Sequence, residues 1–293
     1  MNKKMKTILA IVAILVIFIV VSFNISNNYI TTTNYFVASQ DLPTAFDGYK
    51  ILQLSDLHSR EFGKNNYKLI NKIDKVNPDI VVMTGDMVNS KDENYDVFIS
   101  LSQALAAKYD VYFVIGNHEQ CLGKNNLQSL TQKLTAMGVN VLDNNKATIV
   151  KADDNIALYG MWFNLRYYSN LNMKYVQNNV NNYFFSIDKM NQVLGKKDAE
   201  VFSILLTHNP AYFETYLKWG ADLTLAGHIH GGMVRLPWCG GIFSPEKIFF
   251  PPYDAGEFSA SDKMMIVSRG LGIGNEGFRY FNCPELVVVT LKK

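Results

Sequence analysis

The sequence predicts an α/β domain with helices packed outside two β-sheets, carried behind one apolar N-terminal segment. Three observations lead there. Short β-branched apolar runs alternate with segments of helical period through the first half, further strand-like runs dominate the second half, and the histidines gather directly after strands. With 293 residues, 48% of them apolar and 18% charged, the chain can bury a full-size core and is no disordered tail.

Residues 8–23 read ILAIVAILVIFIVVSF, preceded by Lys3, Lys4 and Lys6 and followed by the polar stretch 24–28. With Thr7 and Ile25 this segment has the length of a helix that crosses a hydrocarbon core of about 30 Å. The lysines mark the side that stays inside. A cleaved secretory signal has a shorter apolar core and a small-x-small site, and SFNISNN offers none. Residues 1–28 therefore read as a retained signal anchor, a single transmembrane helix in the cell membrane with the remaining chain outside the cytoplasm. Cleavage would instead release that chain as a secreted protein. Residues 29–46, polar and Thr-rich, read as a juxtamembrane tether. The folded domain is expected over 47–293.

Within that domain, residues 50–54 read as a strand and 67–76 as a helix with Leu69, Ile70, Ile73 and Val76 on one face. A strand over 80–84, a helix over 97–107 and a strand over 111–115 follow. Further strands are expected over 157–162, 202–207, 223–226, 264–268 and 286–291. The Asn- and Tyr-rich stretch 164–182 reads as a surface insertion.

The net charge of +2 is dominated by the three N-terminal lysines, so the domain carries no electrostatic footprint for nucleic acid and none is expected to bind specifically. Cys121, Cys239 and Cys283 are too few for a disulfide scaffold and have no ligand spacing.

The chemistry gathers at strand ends, where open α/β sheets place their ligands. Strand 50–54 runs into Ser55-Asp56-Leu57-His58, and strand 80–84 into Gly85-Asp86-Met87-Val88-Asn89. The next ends in Gly116-Asn117-His118-Glu119, the later ones in His208 and in Gly227-His228-Ile229-His230-Gly231-Gly232. Asp56 and His58, two apart, would leave an extended chain on one face and grip one ion, and His228 and His230 repeat the spacing. A single DxH tripeptide says little. The count decides: all 5 histidines of the chain fall within these motifs, and with Asp56, Asp86 and Asn117 they make a mixed N/O ligand set for a first-row divalent metal.

DxH, GDxVN, GNHE, an isolated THNP and GHxHGG, in that order, resemble the signature of the calcineurin-like metallophosphoesterases. The ending SRGLGIGNEGFRYFNCPEL is similar to that of their membrane-anchored bacterial branch. The resemblance implies two facing mixed β-sheets flanked by helices, with two divalent metals held by loops at one end. It implies Asp56, His58 and His230 on the first metal, Asn117, His208 and His228 on the second, and Asp86 bridging them. His118 takes the place of the catalytic histidine that is not a ligand. Glu119 stands where many relatives carry Asp, which leaves the partner orienting His118 open.

Such a site suits phosphate esters, whose anionic oxygens repel nucleophiles. Two cations clamp the phosphoryl oxygens and supply a metal-bound hydroxide as nucleophile. His118 would protonate the leaving alkoxide as general acid. Mn, Fe, Zn and Co all fit these donors. The expected activity is hydrolysis of phosphate mono- or diesters. A narrower reading is cleavage of nucleotide- or lipid-linked pyrophosphates or diesters at the membrane. A non-catalytic metal-binding scaffold is the reading from outside enzymology, and it predicts a broken ligand set.

Other matches are weaker. Residues 272–277 fit GxGxxG but leave no room for a βαβ unit, and His118-Glu119 is followed by Leu122 where HExxH needs histidine. Arg60, two residues past His58, is the best placed of several arginines to touch a phosphate, with Arg166, Arg269 and Arg279 behind it. Trp162, Tyr167, Tyr168, Phe184 and Phe185 read as core and loop aromatics, or else as a hydrophobic mouth.

Overall fold

The computed structural model describes residues 2–169, 173–244, 248–274 and 277–293. It opens with helix α1 (Lys3–Asn28), whose apolar span is exposed along its length. The first half of the domain then runs β1 (Thr31–Ala38), β2 (Lys50–Leu54), α2 (Tyr67–Val76), β3 (Ile80–Met83), α3 (Asp96–Ala106), β4 (Asp110–Phe113), α4 (Asn117–Cys121), α5 (Lys124–Ala136) and β5 (Val139–Val141). The second half contributes β6 (Asn145–Lys151), β7 (Asp154–Met161), the short helices α6 (Lys174–Gln177) and α7 (Val180–Tyr183), α8 (Ile187–Leu194), β8 (Ser203–Thr207), α9 (Phe213–Trp219) and β9 (Leu223–Ala226). It closes with the hairpin β10 (Val234–Leu236) and β11 (Gly240–Phe243), then β12 (Gly256–Ala260), β13 (Lys263–Val267) and β14 (Glu285–Lys292).

The strands form two six-stranded sheets, ordered β1-β14-β2-β3-β4-β5 and β12-β13-β9-β8-β7-β6. β2 to β5 are mutually parallel, and β14 runs antiparallel to β2. In the second sheet β13, β9, β8 and β7 are parallel, with β12 and β6 antiparallel at the edges. Alternate residues of each strand face opposite ways, which builds three apolar layers. Ile80 and Val82 meet Ile204, Leu206, Leu223 and Leu225 between the sheets. Val81 and Met83 point outward to Phe98, Leu101, Leu130 and Leu134 of α3 and α5. On the far side Tyr159 and Leu205 pack on Met190, Tyr216 and Trp219. The architecture is thus two facing mixed sheets flanked by helices, as expected.

The segment 29–46 departs from expectation. β1 pairs in parallel with β14 from Thr31↔Glu285 to Ala38↔Lys292, and Val37, Leu42 and Phe46 are buried in the inter-sheet core. It is part of the fold and not a free tether. The threonines that suggested a linker belong to an edge strand with one face in water, where polar β-branched residues are at home. In the stretch 164–182 most described side chains are exposed, as a surface insertion requires, but Val176 is buried; residues 170–172 lie outside the described ones.

Candidate metal centre

β2, β3, β4, β8 and β9 all end on one rim, and their following loops carry Asp56, His58, Asp86, Asn117, His208, His228 and His230 to one place. The local backbone is not extended there. Asp56, His58, Asp86, His228 and His230 all adopt positive φ, between 48° and 74°. That region is costly for residues with a Cβ, and its concentration at one site marks a functional constraint. The same-face argument for DxH and HxH therefore gave the right convergence for the wrong reason: left-handed turns aim these side chains. The two motifs also divide differently. Asp56, His58 and His230 form one group of converging side-chain atoms, and Asp86, His208 and His228 another, so His228 and His230 fall in different groups. Asp86 belongs as well to a group with His58 and His118.

Two glycines make this approach possible through size. A Cβ on Gly116 would overlap Asp86 Oδ1, and one on Gly227 would overlap Asp56 Oδ2 and the Ser55 hydroxyl.

The polar atoms are arranged for cations. Thr84 O can only accept, so His208 Nδ1, 2.6 Å away, carries the ring proton and Nε2 faces inward. His208 Nε2 lies 3.0 Å from Asp86 Oδ2 in a geometry that makes no hydrogen bond, and Asn117 Oδ1 is buried with no hydrogen-bond partner among the described residues. Acceptor atoms brought this close require positive charge between them. His58 Nε2 sits 3.2 Å from His230 Nε2 and 4.0 Å from Asp86 Oδ2, and His230 Nε2 is 3.4 Å from Asp56 Oδ1. These neutral nitrogens, carboxylate oxygens and one amide oxygen are the donor set of borderline divalent metals, and the residues present fit that group.

Outer partners hold the rings. His58 Nδ1 donates to Asn89 Oδ1 at 3.0 Å, while Asn89 Nδ2 donates back to the His58 carbonyl. The His228 backbone N–H donates to the Asp56 carboxylate at 3.1 Å and so aims that carboxylate and not the imidazole. Such contacts fix tautomer and direction.

The charge states follow. Burial pushes His58 down to about 3 and holds His230 well below the usual imidazole range, so both rings are neutral. Burial alone would lower His208 too, but the Asp86 and Asp56 carboxylates outweigh it and raise the ring to about 10, so without an ion a proton on Nε2 supplies the positive charge that a bound cation would replace. Burial opposes ionisation of Asp86, yet the surrounding His208, His118 and His58 hold its carboxyl well below the usual range.

His118 lies at the rim. Its Nδ1 accepts the Ser90 N–H at 3.0 Å, so its proton sits on Nε2, 4.0 Å from Asp86 Oδ2. The open question about its partner is answered by that backbone amide. Glu119 does something else: buried, it accepts the N–H groups of Asp86, Met87, Val88 and Gly116 at 2.9, 2.7, 3.3 and 2.9 Å, tying two metal loops together.

Arg60 does not join the centre. Its guanidinium donates to the Asn27 carbonyl and to Asn28 Oδ1, at the end of α1. Arg279, fully buried, reaches the His230 carbonyl and ring at 3.3 and 3.4 Å. Of the aromatics, Phe185 is core, stacked on Phe163. Tyr168 stands with its ring 4.9 Å from that of His228 and its buried hydroxyl without a hydrogen-bond partner among the described residues. The rejected GxGxxG segment is a loop over its described residues, and Gly272 donates to the Asp56 carbonyl at 2.6 Å.

A family profile described as Calcineurin-like phosphoesterase matches residues 49–232, from β2 through the last ligand loop. The chain belongs to the calcineurin-like phosphoesterase family. As such it is a metallophosphoesterase, with His and Asp groups placed where they could hold metal ions. Among its relatives is the uncharacterized metallophosphoesterase YkuE of Bacillus subtilis, 29% identical over 90% of this chain and 86% of that one. The UDP-2,3-diacylglucosamine pyrophosphatase LpxG of Chlamydia muridarum is 23% identical over 83% of each. The phosphodiesterase YaeI of Escherichia coli is 25% identical over 83% of this chain and 82% of the other. The phosphoesterase profile ends at Gly232, so the hairpin, β12 to β14 and the loop that wraps Asp56 lie beyond it.

Proposed function

We propose that this phosphoesterase hydrolyses phosphate esters at a two-cation centre, with Asp56, His58 and His230 on one ion, Asn117, His208 and His228 on the other, and Asp86 between them. The observation that carries the reading is the set of buried potential ligand atoms converging on one place, above all His208 Nε2 against Asp86 Oδ2 with Asn117 Oδ1 unpartnered beside them. Divalent ions bound there supply Lewis-acid polarisation of the phosphoryl group and a nucleophile at neutral pH.

The chain's own residues do the rest. His118, held by Ser90, presents its Nε2 proton inward and serves as general acid for the leaving oxygen. Glu119 keeps the Asp86 and Asn117 loops at a fixed separation. Tyr168 covers the His228 side and excludes water there. Arg60 is assigned to the anchor and not to substrate.

We read α1 as a retained membrane anchor. Ser26 and Asn27 are 2% and 6% exposed inside the domain, so removal of residues 1–28 as a cleaved signal would strip the fold of buried hydrogen bonds. That attachment favours phosphodiester or pyrophosphate substrates presented at the bilayer, in keeping with the printed activities of LpxG and YaeI.

Metal analysis of the full chain purified without chelator is expected to find close to two divalent ions per molecule, drawn from Mn, Fe, Zn or Co. Asp86→Asn is expected to lose most of both. A single tightly held ion in the unaltered protein would refute the paired centre.

A further inference from the structure

The end of α1 is locked into the domain. Asn27 Nδ2 donates to the Arg279 carbonyl at 2.9 Å and the Arg279 N–H donates back to Asn27 Oδ1 at 3.0 Å, while the Phe281 N–H donates to Ser26 Oγ at 2.8 Å. The contact continues down the apolar helix. Ser22 Oγ is 3.4 Å from Tyr280 Oη, and the Phe18 and Phe281 rings lie 6.3 Å apart.

This sets a depth. If the domain stood clear of the lipid, Phe18 would have to leave the hydrocarbon, and residues 7–17 would span only about 16 Å at about 1.5 Å each, half of the roughly 30 Å needed. The helix can cross only if Phe281 descends with Phe18.

The strip beside Phe281 is built for that environment. The Arg235 N–H donates to the Tyr280 carbonyl at 3.0 Å and the Tyr280 N–H to the Met233 carbonyl at 2.9 Å, so the β10–β11 hairpin extends the docked layer. Its tip carries Trp238, fully exposed, and exposed Leu236; Phe249 and Phe250 follow along β11, with the Phe250 N–H bonded to Ile242. Contiguous exposed apolar groups of this size on a soluble face mark an interaction surface, and aromatic rings favour the lipid–water boundary. The neighbouring cations are occupied: Arg235 pairs with Asp254 at 2.5 Å and Arg269 with Glu285 at 2.8 Å. The surface is therefore apolar in character and asks for no anionic headgroup.

We infer that the face formed by Tyr280, Phe281 and the β10–β11 hairpin is seated in the bilayer leaflet on the domain's side, with Trp238 inserted at its boundary. Asn282 on the same segment donates to the His230 carbonyl at 2.7 Å, so the seat also fixes the metal centre's height above the lipid. The inference rests on α1 being a retained anchor.

The test is lipid quenching on the full chain in neutral phosphatidylcholine nanodiscs, with Trp238→Phe used to isolate Trp238 emission from that of Trp162 and Trp219. The side chain is solvent-exposed, so the variant keeps its fold. The Trp238 component is expected to be blue-shifted, to fall about two-fold or more with brominated acyl chains, and to resist aqueous iodide. Iodide quenching without bromine quenching overturns the seat, as does shielding from both quenchers, which would mean that a second copy or another protein covers the hairpin. Alkaline carbonate extraction separates the two readings. Release of the protein overturns the anchor and the seat together, whereas retention with a wet Trp238 overturns the seat alone.

Discussion

His118 is the residue whose role is most exposed to experiment. Its Nδ1 is committed to Ser90, so any proton it gives comes from Nε2. Replacement by Asn removes that donor, and turnover of esters with poor leaving groups is expected to fall about 10²- to 10⁴-fold, with a much smaller loss for activated aryl esters whose leaving groups need no proton. Equal losses in a kcat comparison across leaving-group pKa would assign His118 a purely structural role. The candidate ligand residues stood out in the chain because histidine is scarce in it and every copy follows a strand. What could not be read was the backbone that aims them: no local pattern announces positive φ at Asp56 or His230, because the loops are forced into it by packing from distant segments such as Gly270 and Gly272 on Asp56. Glu119 was equally opaque, its four amide partners being divided between two loops distant in sequence.

Elements with a strong apolar period were legible almost to the residue. Strand Lys50–Leu54 and helix Tyr67–Val76 lie where alternation and the i, i+3, i+4 pattern put them. Helix Lys124–Ala136 escaped because only Leu130 and Leu134 of its Asn- and Gln-rich sequence are buried, and β1 escaped because an edge strand shows water one face. One pairing between elements also lay beyond any window: Asp222, at the start of β9, receives Lys263 at 2.8 Å, Lys197 at 2.9 Å and the Ser203 N–H at 2.8 Å, tying β8, β9 and β13. Burial alone would raise this carboxyl, but the two ammonium groups and Ser203 hold it below the usual range. A depressed folded pKa contributes stability above the unfolded value near 4 and loses it as pH falls through that value toward the folded one. Asp222→Asn is expected to cost about 1–3 kcal/mol in urea unfolding at pH 7. The gap to the unaltered protein should narrow below about pH 4. A gap independent of pH would mean that the ion pairs contribute nothing.

At the scale of the whole molecule, the segment before the last strand meets the end of α1. β14 lies between β1 and β2, so the last strand is interior to the first sheet, and the segment just before it grips the end of α1 more than 250 residues away in sequence. From the sequence, residues 24–28 are a polar spacer after an apolar run, and nothing local distinguishes Asn27 from Asn24. The structure separates them: Asn27 is buried and makes a reciprocal pair with the Arg279 backbone, whereas Asn24 is exposed. If α1 is an integral strut, Asn27→Ala leaves a buried N–H and C=O of Arg279 unsatisfied and is expected to destabilise the detergent-solubilised full chain by about 1–3 kcal/mol. That corresponds to a lower melting temperature by about 2–4 °C for each kcal/mol, with Asn24→Ala unchanged as the control. Because Arg279 also touches the His230 carbonyl and ring, the same variant should weaken metal retention under a chelator challenge. Identical melting and metal retention for both variants would show that the helix end is not part of the fold, and a tether would again be the right description of the chain leaving the membrane.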